Sequence, residues 1–228
     1  MTDAVSLPLF PLGEVLFPGA QMSLHIFEER YRALMRDRLG DNPIFGVILT
    51  VTGGEVGDQP EIHGVGTAAT LLAASELPDG RWAIVVEGGR RFTARASSWD
   101  RGYLVADVRW LEDGEDVDDR PSAIESLIAE FVGYVEAVAV DVSASASTGE
   151  LAAGLSAAFA DDLLGLTYLV AAQLPLNTWH RQRVLEASSC RDRYRLVRGL
   201  LRRERKIVGR AGATASLTSH PAAGLSPN

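Results

Sequence analysis

Cysteine, lysine and long apolar runs are nearly absent from this chain of 228 residues, and each shortage removes a class of protein. Cys190 stands alone, so no intrachain disulfide can form, and that usage fits a reducing compartment. No histidine sits at a spacing that pairs with it, and it reads as an inert buried thiol. The most hydrophobic helical stretch, residues 163–174, falls short of the roughly 20 residues that cross a bilayer. The start, Met1-Thr2-Asp3-Ala4, has no basic region, and Pro8, Pro11 and Glu14 break the apolar stretch behind it, so a signal peptide is not expected. The expectation is a soluble, cytoplasmic protein with no membrane partner.

Lys206 is the sole lysine, and it lies between Arg205 and Ile207. A phosphate-binding P-loop needs Gly-x-x-x-x-Gly-Lys-Ser/Thr, so there is none here. A Ser–Lys hydrolase would have to use the same residue, which sits among Arg202, Arg203 and Arg205 with no sign of a buried nucleophile. His25, His63, His180 and His220 are scattered, no His-Glu-x-x-His or paired-cysteine spacing occurs, and no metal is expected. Gly-x-Ser-x-Gly is missing as well. Gly64-Val65-Gly66-Thr67-Ala68-Ala69 matches the loose dinucleotide pattern, but polar Gly57-Asp58-Gln59-Pro60-Glu61 precedes it and a strand follows it, where the fingerprint needs a strand and then a helix. Neither a cofactor nor an enzymatic activity is expected.

What the chain does have is a strong charge asymmetry. The formal charge is −8, yet residues 180–210 hold eleven Arg/Lys against Glu186, Asp192 and Glu204, a net +8 that leaves −16 elsewhere. The acidic remainder is the first candidate counter-ion for the basic end, ahead of an external polyanion.

The apolar runs of the first half are short, rich in Val, Ile and Thr, and closed by turn residues, which predicts strands at residues 7–10, 22–27, 44–52, 65–77, 81–87, 90–97 and 103–111. Pro78-Asp79-Gly80, Gly88-Gly89 and Asp100-Arg101-Gly102 are expected to reverse them. In the last strand Leu104, Ala106, Val108 and Trp110 point one way, and Tyr103, Asp107 and Arg109 the other. One helix, residues 28–39, interrupts the set, and the strands should curl into a small barrel. Six carboxylates fall within residues 112–121. Without the glycine and closing glutamate of a calcium loop, they read as a solvated linker at residues 116–120, between a β-rich part (1–115) and a helical one (121–209).

Past the linker the period becomes 3.6. Ile124, Leu127, Ile128, Phe131, Val132, Val135 and Val138 make one stripe, capped by Ser122 with Glu125. A small-residue linker, 143–149, precedes helices at 150–160, 161–174, 177–187 and 189–208, with Ser147 and Glu150 as a second capping box. Residues 210–228 are mostly Ala, Gly, Ser, Thr and Pro and are expected to be disordered. The fold class is α+β, a β barrel with one inserted helix and then a helical bundle.

Leu7-Pro8-Leu9-Phe10-Pro11-Leu12-Gly13-Glu14-Val15-Leu16-Phe17-Pro18-Gly19 and Leu24-His25-Ile26-Phe27-Glu28-Glu29-Arg30-Tyr31 resemble the N-terminal substrate-binding domain of Lon proteases. The likeness continues through Gly64-Val65-Gly66-Thr67-Ala68, Asp79-Gly80-Arg81, Gly89-Arg90-Arg91-Phe92, Tyr103-Leu104-Val105-Ala106, Leu174-Pro175-Leu176 and Gln182-Arg183-Val184-Leu185-Glu186, over about residues 5–208. The resemblance implies a PUA-like β pseudo-barrel followed by a helical bundle. It also implies a stand-alone substrate-recognition part, since a full Lon continues into ATPase and peptidase modules and this chain stops before them.

On that basis the leading expectation is a non-catalytic module for unfolded or peptide-like protein segments, an adaptor or holdase, with a separate ATPase or protease as a further partner. Phe17, beside a Pro-Gly turn, and Trp99, in a polar loop, are the expected peptide contacts, because a core demands them least. Pro11 and Pro18 with Gly19 should set turns, Phe27 and Tyr31 should bury their rings, and Arg30 should pair locally. The competing expectation is RNA binding by Arg195, Arg198, Arg202 and Arg205, which share a helix face while Val197, Leu200, Leu201 and Val208 pack on the other.

Overall fold

Alternating apolar runs build β1 (Val5–Leu12), β2 (Gln21–Ile26), β3 (Ile44–Thr50), β4 (Ile62–Glu76), β5 (Trp82–Ser98) and β6 (Leu104–Trp110), with α1 (Glu29–Arg38) between β2 and β3. The computed structural model describes residues 5–38, 43–51, 60–99, 101–114, 116–138 and 144–211; the tail expected to be disordered is outside them apart from Arg210 and Ala211. Two units divide at Glu112 and Asp113. The fold class is α+β as the periodicities indicate: a pseudo-barrel with one inserted helix, then helices.

In the first unit the sheet runs β2-β5-β4-β3-β1-β6, and β5 also pairs with β6. That extra pairing closes β1, β3, β4, β5 and β6 into a ring and leaves β2 outside it, paired among the described strands with β5 alone. Only β1 with β3 is parallel. Pro78-Asp79-Gly80 forms the expected hairpin turn, with Gly80 at φ +78° and the Leu77 N–H donating to the Arg81 carbonyl at 2.7 Å.

Gly88-Gly89 does not reverse the chain. Both glycines lie inside β5, which runs unbroken for 17 residues. A Cβ on Gly88 would sit 2.1 Å from the Phe17 carbonyl oxygen, so the glycine lets the segment between β1 and β2 pass close over β5. Gly66 serves a similar purpose: a Cβ there would meet Phe92 Cζ and the Val47 carbonyl at 2.6 Å. Its absent side chain makes room for a buried ring. Pro11 also departs from expectation, lying within β1 beside Ile48 of β3. The β6 pairing reaches only to Leu9, so at Pro11 the strand has a neighbour on one side and tolerates the missing N–H.

Two apolar clusters fill the unit. Phe10 meets Tyr31 and Phe45 edge-on at 4.2 and 6.2 Å, joined by Leu34 and Met35 of α1 and Ile84 and Val86 of β5. Leu7, Leu9, Ile48, Phe92, Leu104, Ala106 and Val108 make the other. Tyr103, expected on the outer face, is buried in the first cluster and donates its hydroxyl to Asp37 at 2.6 Å. It precedes β6, so the alternation of that strand does not govern it.

The second unit holds α2 (Arg120–Val138), α3 (Ala144–Ala158), α4 (Leu163–Gln173), α5 (Thr178–Glu186) and α6 (Cys190–Ala211). The cap of α2 is Asp119 rather than Ser122: its carboxylate accepts the Ser122 N–H at 3.2 Å, and Pro121 fits the first turn, where no amide partner is needed. The stretch expected as a linker, 143–149, is helical from Ala144, and Ser147 lies inside α3. The alanines there are strong helix formers and outweigh the serines. Asp162 and Asn177 cap α4 and α5 by accepting from Gly165 and His180 at 2.7 and 2.9 Å.

At the heart of this unit is Arg193, with no exposed surface. Its Nε donates to the Val184 carbonyl at 3.1 Å, one terminal nitrogen to the Ala187 carbonyl at 2.8 Å, and the other to Asp113 at 2.8 Å. The guanidinium also stacks 4.6 Å from the centre of the Tyr168 ring. The acidic stretch is therefore docked where it was expected to be solvated. Asp116 accepts the Arg191 N–H at 2.9 Å near the start of α6, and Asp118 pairs with Arg191 at 3.0 Å. Attraction between the acidic run and the basic helix supplies the reason.

Removing one partner of a buried ion pair strands the other, so Asp113→Ala should cost about 3 kcal/mol of the second unit's stability, read by urea denaturation. Acid should have a related effect. The Arg191 amide hydrogen bond holds Asp116 below its ordinary carboxylate value. Burial pushes Glu130 up, but hydrogen bonds and charge from Arg198 and Arg202 outweigh it and hold Glu130 down. Depressed folded values give stability that is full above the unfolded pKa and lost as pH falls through the folded one. Stability should thus fall below pH ~4.5, and Glu130→Gln should flatten the slope of melting temperature against pH there.

Candidate functional site

β2 is the element that the closed ring leaves open. Gly88 donates its N–H to the Ala20 carbonyl at 2.9 Å, and Gln21 pairs with Glu87 with no register shift along the ladder. Hydrogen-bonded pairs alternate in an antiparallel ladder, so Met22, Leu24 and Ile26 turn their backbone groups to β5. Gln21, Ser23 and His25 turn theirs to the opposite side, where no described residue meets them.

Side chains sort the same strand by face. Leu24 and Ile26 are buried and Met22 packs against the same cluster, so Ser23 and His25 occupy the outer face beside Ala83 and Val85 of β5. Beyond Val85 lies Ala73 of β4, next to a bulge that leaves Leu72 49% exposed. This outer surface combines small and apolar side chains with His25 and, at its other end, the exposed polar pair Gln21 and Glu87. Phe27 follows the strand directly and is 37% exposed. It was expected to bury its ring; Ile26 already points inward, and the next residue of an extended chain points out. The sequence carried that signal in the alternation of Leu24, Ile26 and Phe27.

The two expected peptide contacts sit elsewhere in this unit. Phe17 is 1% exposed, a core ring in the segment that passes over Gly88. Thr67 fixes that segment by donating its hydroxyl to the Leu16 carbonyl at 2.7 Å. The segment looked like a loose turn because it belongs to no strand, but a short connection across a barrel needs an apolar underside. Trp99 is half-buried against the second cluster, with the Arg30 guanidinium 5.6 Å from its ring. Arg30 pairs with Glu28 at 2.8 Å, the local partner expected, and lies over Tyr31 at 4.7 Å. Burial pushes the Tyr31 hydroxyl up to about 12.

The basic helix face is arranged toward α2. Glu130 accepts from Arg198 Nε at 3.1 Å and from Arg202 at 2.7 Å, and the Arg205 guanidinium lies against Gly133. Arg195 is exposed. Val197, Leu200 and Leu201 are buried on the other side. Among the described residues no group of three His, Cys, Asp or Glu is placed to hold a metal, and no described helix is long and apolar enough to cross a membrane. Burial raises the Cys190 thiol, which keeps it protonated. What the open β2 edge can do is accept a backbone.

The pattern of the ATP-dependent protease La (LON) substrate-binding domain matches residues 6–203. The Lon protease of Anaeromyxobacter dehalogenans is 29% identical over 213 residues, which cover 89% of this chain and 24% of that protein. The Lon protease of Escherichia coli K12 is 25% identical over 210 residues, covering 89% and 25%. The chain spans about a quarter of the length of these relatives. The Lon N-terminal domain protein from Xanthomonas campestris aligns with a TM-score of 0.59 and 27% identity, over 87% of this chain and 98% of that one. The N-terminal domain of the Mycobacterium avium complex Lon protease shares the fold, with a TM-score of 0.61 at 17% identity.

The edge assignment is testable by proline. Ser23→Pro removes an N–H that faces away from β5 and should cost less than about 1 kcal/mol, whereas Leu24→Pro removes a ladder donor and should cost about 3 kcal/mol or more. Thermal melts of the two variants should differ accordingly.

Proposed function

This chain belongs to the ATP-dependent protease La (LON) substrate-binding domain family, and from that premise we propose that its first unit binds extended, unfolded segments of other proteins along the free edge of β2. The observation that carries the reading is the outward backbone of Gln21, Ser23 and His25, an edge that ends at exposed Phe27. A guest strand pairs its own N–H and C=O groups there irrespective of sequence, and its outer-face side chains lie beside Ser23 and His25, the adjoining positions of β2. Backbone pairing supplies affinity, and the small side chains of the surface keep selectivity low. Such a module holds segments without cutting them. It serves as an adaptor that presents clients to a separate ATPase or protease, or as a holdase that shields them from aggregation.

The test is fluorescence anisotropy with a labelled 15-residue peptide rich in Val, Ile and Phe and without net charge. Ser23→Pro should weaken binding at least tenfold with the circular dichroism unchanged, and Phe27→Ser should weaken it several-fold. Raising salt from 0.1 to 0.5 M should change affinity little, since apolar and backbone contacts release no counter-ions. Unchanged binding in Ser23→Pro would remove β2 from the site.

A further inference from the structure

Some cations of α5 and α6 are matched by carboxylates and others are not. Arg191, Arg193, Arg198 and Arg202 each contact a carboxylate of their own unit at 3.0 Å or less, from Asp113, Asp118 or Glu130. Toward the C-terminal end the matching stops. Among the described residues Lys206 has no carboxylate partner, and Arg203 has only Glu204 at 3.9 Å. Arg183 of α5 is likewise without one and lies over the Trp179 ring at 4.8 Å.

Trp179 is 57% exposed, the most exposed of the large apolar side chains described. It is held in place from behind. Asn177 accepts both the backbone N–H of His180 and its ring Nδ1–H, at 2.9 and 2.7 Å, which leaves Nε2 to accept from Arg203 at 3.2 Å. The His180 ring in turn meets Trp179 edge-on at 4.9 Å. Arg203 thus joins the tryptophan to a shallow notch on α6, where Gly199 gives a floor without a side chain and Arg202, Lys206 and exposed Ile207 form the walls.

We infer that this α5–α6 surface binds an acidic polypeptide segment that places one apolar side chain in the notch between Gly199 and Ile207, with flanking carboxylates on Arg203, Lys206 and Arg183. Charge complementarity argues for the acidic partner, because among the described residues these three cations lack a close carboxylate partner of the kind that Arg191, Arg193, Arg198 and Arg202 have. The notch argues for polypeptide over nucleic acid: Ile207 and the aliphatic stems of the arginines and lysine suit an apolar side chain. Exposed tryptophan and arginine are the residue types that anchor protein interfaces. This surface belongs to the second unit and the β2 edge to the first, so its test does not depend on the β2 reading.

The experiment uses the full chain and a labelled 12-residue peptide of Asp and Glu with one central leucine, followed by anisotropy and by tryptophan emission in wild type and Trp179→Phe. Saturable binding is expected, with a Trp179-dependent emission change. Arg203→Glu with Lys206→Glu should weaken it at least tenfold, and Ile207→Ser or a leucine-to-serine peptide should weaken it about fivefold. Melting temperatures of the variants confirm that they fold. Ser23→Pro should bind this peptide as wild type does, which separates the result from the fate of the β2 proposal. Absence of saturable binding, insensitivity to the charge reversals, or tighter binding of a 12-nucleotide single-stranded RNA lost in the same variants would overturn the assignment.

Discussion

A guanidinium sealed from water organises the helical unit. Arg193 spends its hydrogen bonds on the Val184 and Ala187 carbonyls and on Asp113, and its flat face on Tyr168. Those partners come from the end of α5, the turn after it, the acidic stretch before α2, and α4. One side chain of α6 therefore ties together three separate stretches of chain, 184–187, Asp113 and Tyr168. The fixed fork of donors explains why arginine stands here and lysine would not serve: an ammonium is a point charge and cannot bridge two carbonyls and a carboxylate in one plane. The acidic run becomes structural for the same reason.

The first unit solves a different problem. Closing β5 onto β6 removes the open edges of the ring, and the cost is that β5 must be long and must bend. Gly88 supplies the close approach, with Leu16 and Phe17 packed above it. Among the described strands β2 pairs with half of β5 alone, and α1 packs on its inward side chains through the Leu34 and Met35 cluster. An uncovered edge beside a closed ring is thus a product of the topology, placed on the most regular part of the structure rather than on a loop.

How much of this was legible in the sequence follows from the range of the interactions involved. The Pro78-Asp79-Gly80 turn and the apolar stripe of α2 are local, and they were read from a few residues each. Gly88-Gly89 looks the same as a hairpin turn until one knows that Phe17 passes over it, and that contact spans some seventy residues of chain. The acidic stretch reads as solvent-facing because its counter-ions on α6 are as distant. Phe17 and Phe27 exchanged roles for a related reason. The local sequence makes a residue outside a strand look exposed and one inside a motif look buried, whereas the crossing segment and the strand phase set the burial of these two rings. Trp179 carried no sequence signal, since its exposure depends on how α5 is pinned to α6 through His180 and Arg203.

An edge of three outward backbone positions has a consequence for the motion of anything seated on it. Backbone groups repeat every two residues, so a guest displaced by one residue meets the edge with its donors and acceptors reversed and its side chains on the wrong face. Displaced by two, it regains every bond. A strand paired with β2 as proposed would therefore shift in steps of about 6.8 Å, set by the strand rise. A chain pulled from one end would advance past Ser23 as a ratchet does, pausing at alternate residues and indifferent to most of what those residues are.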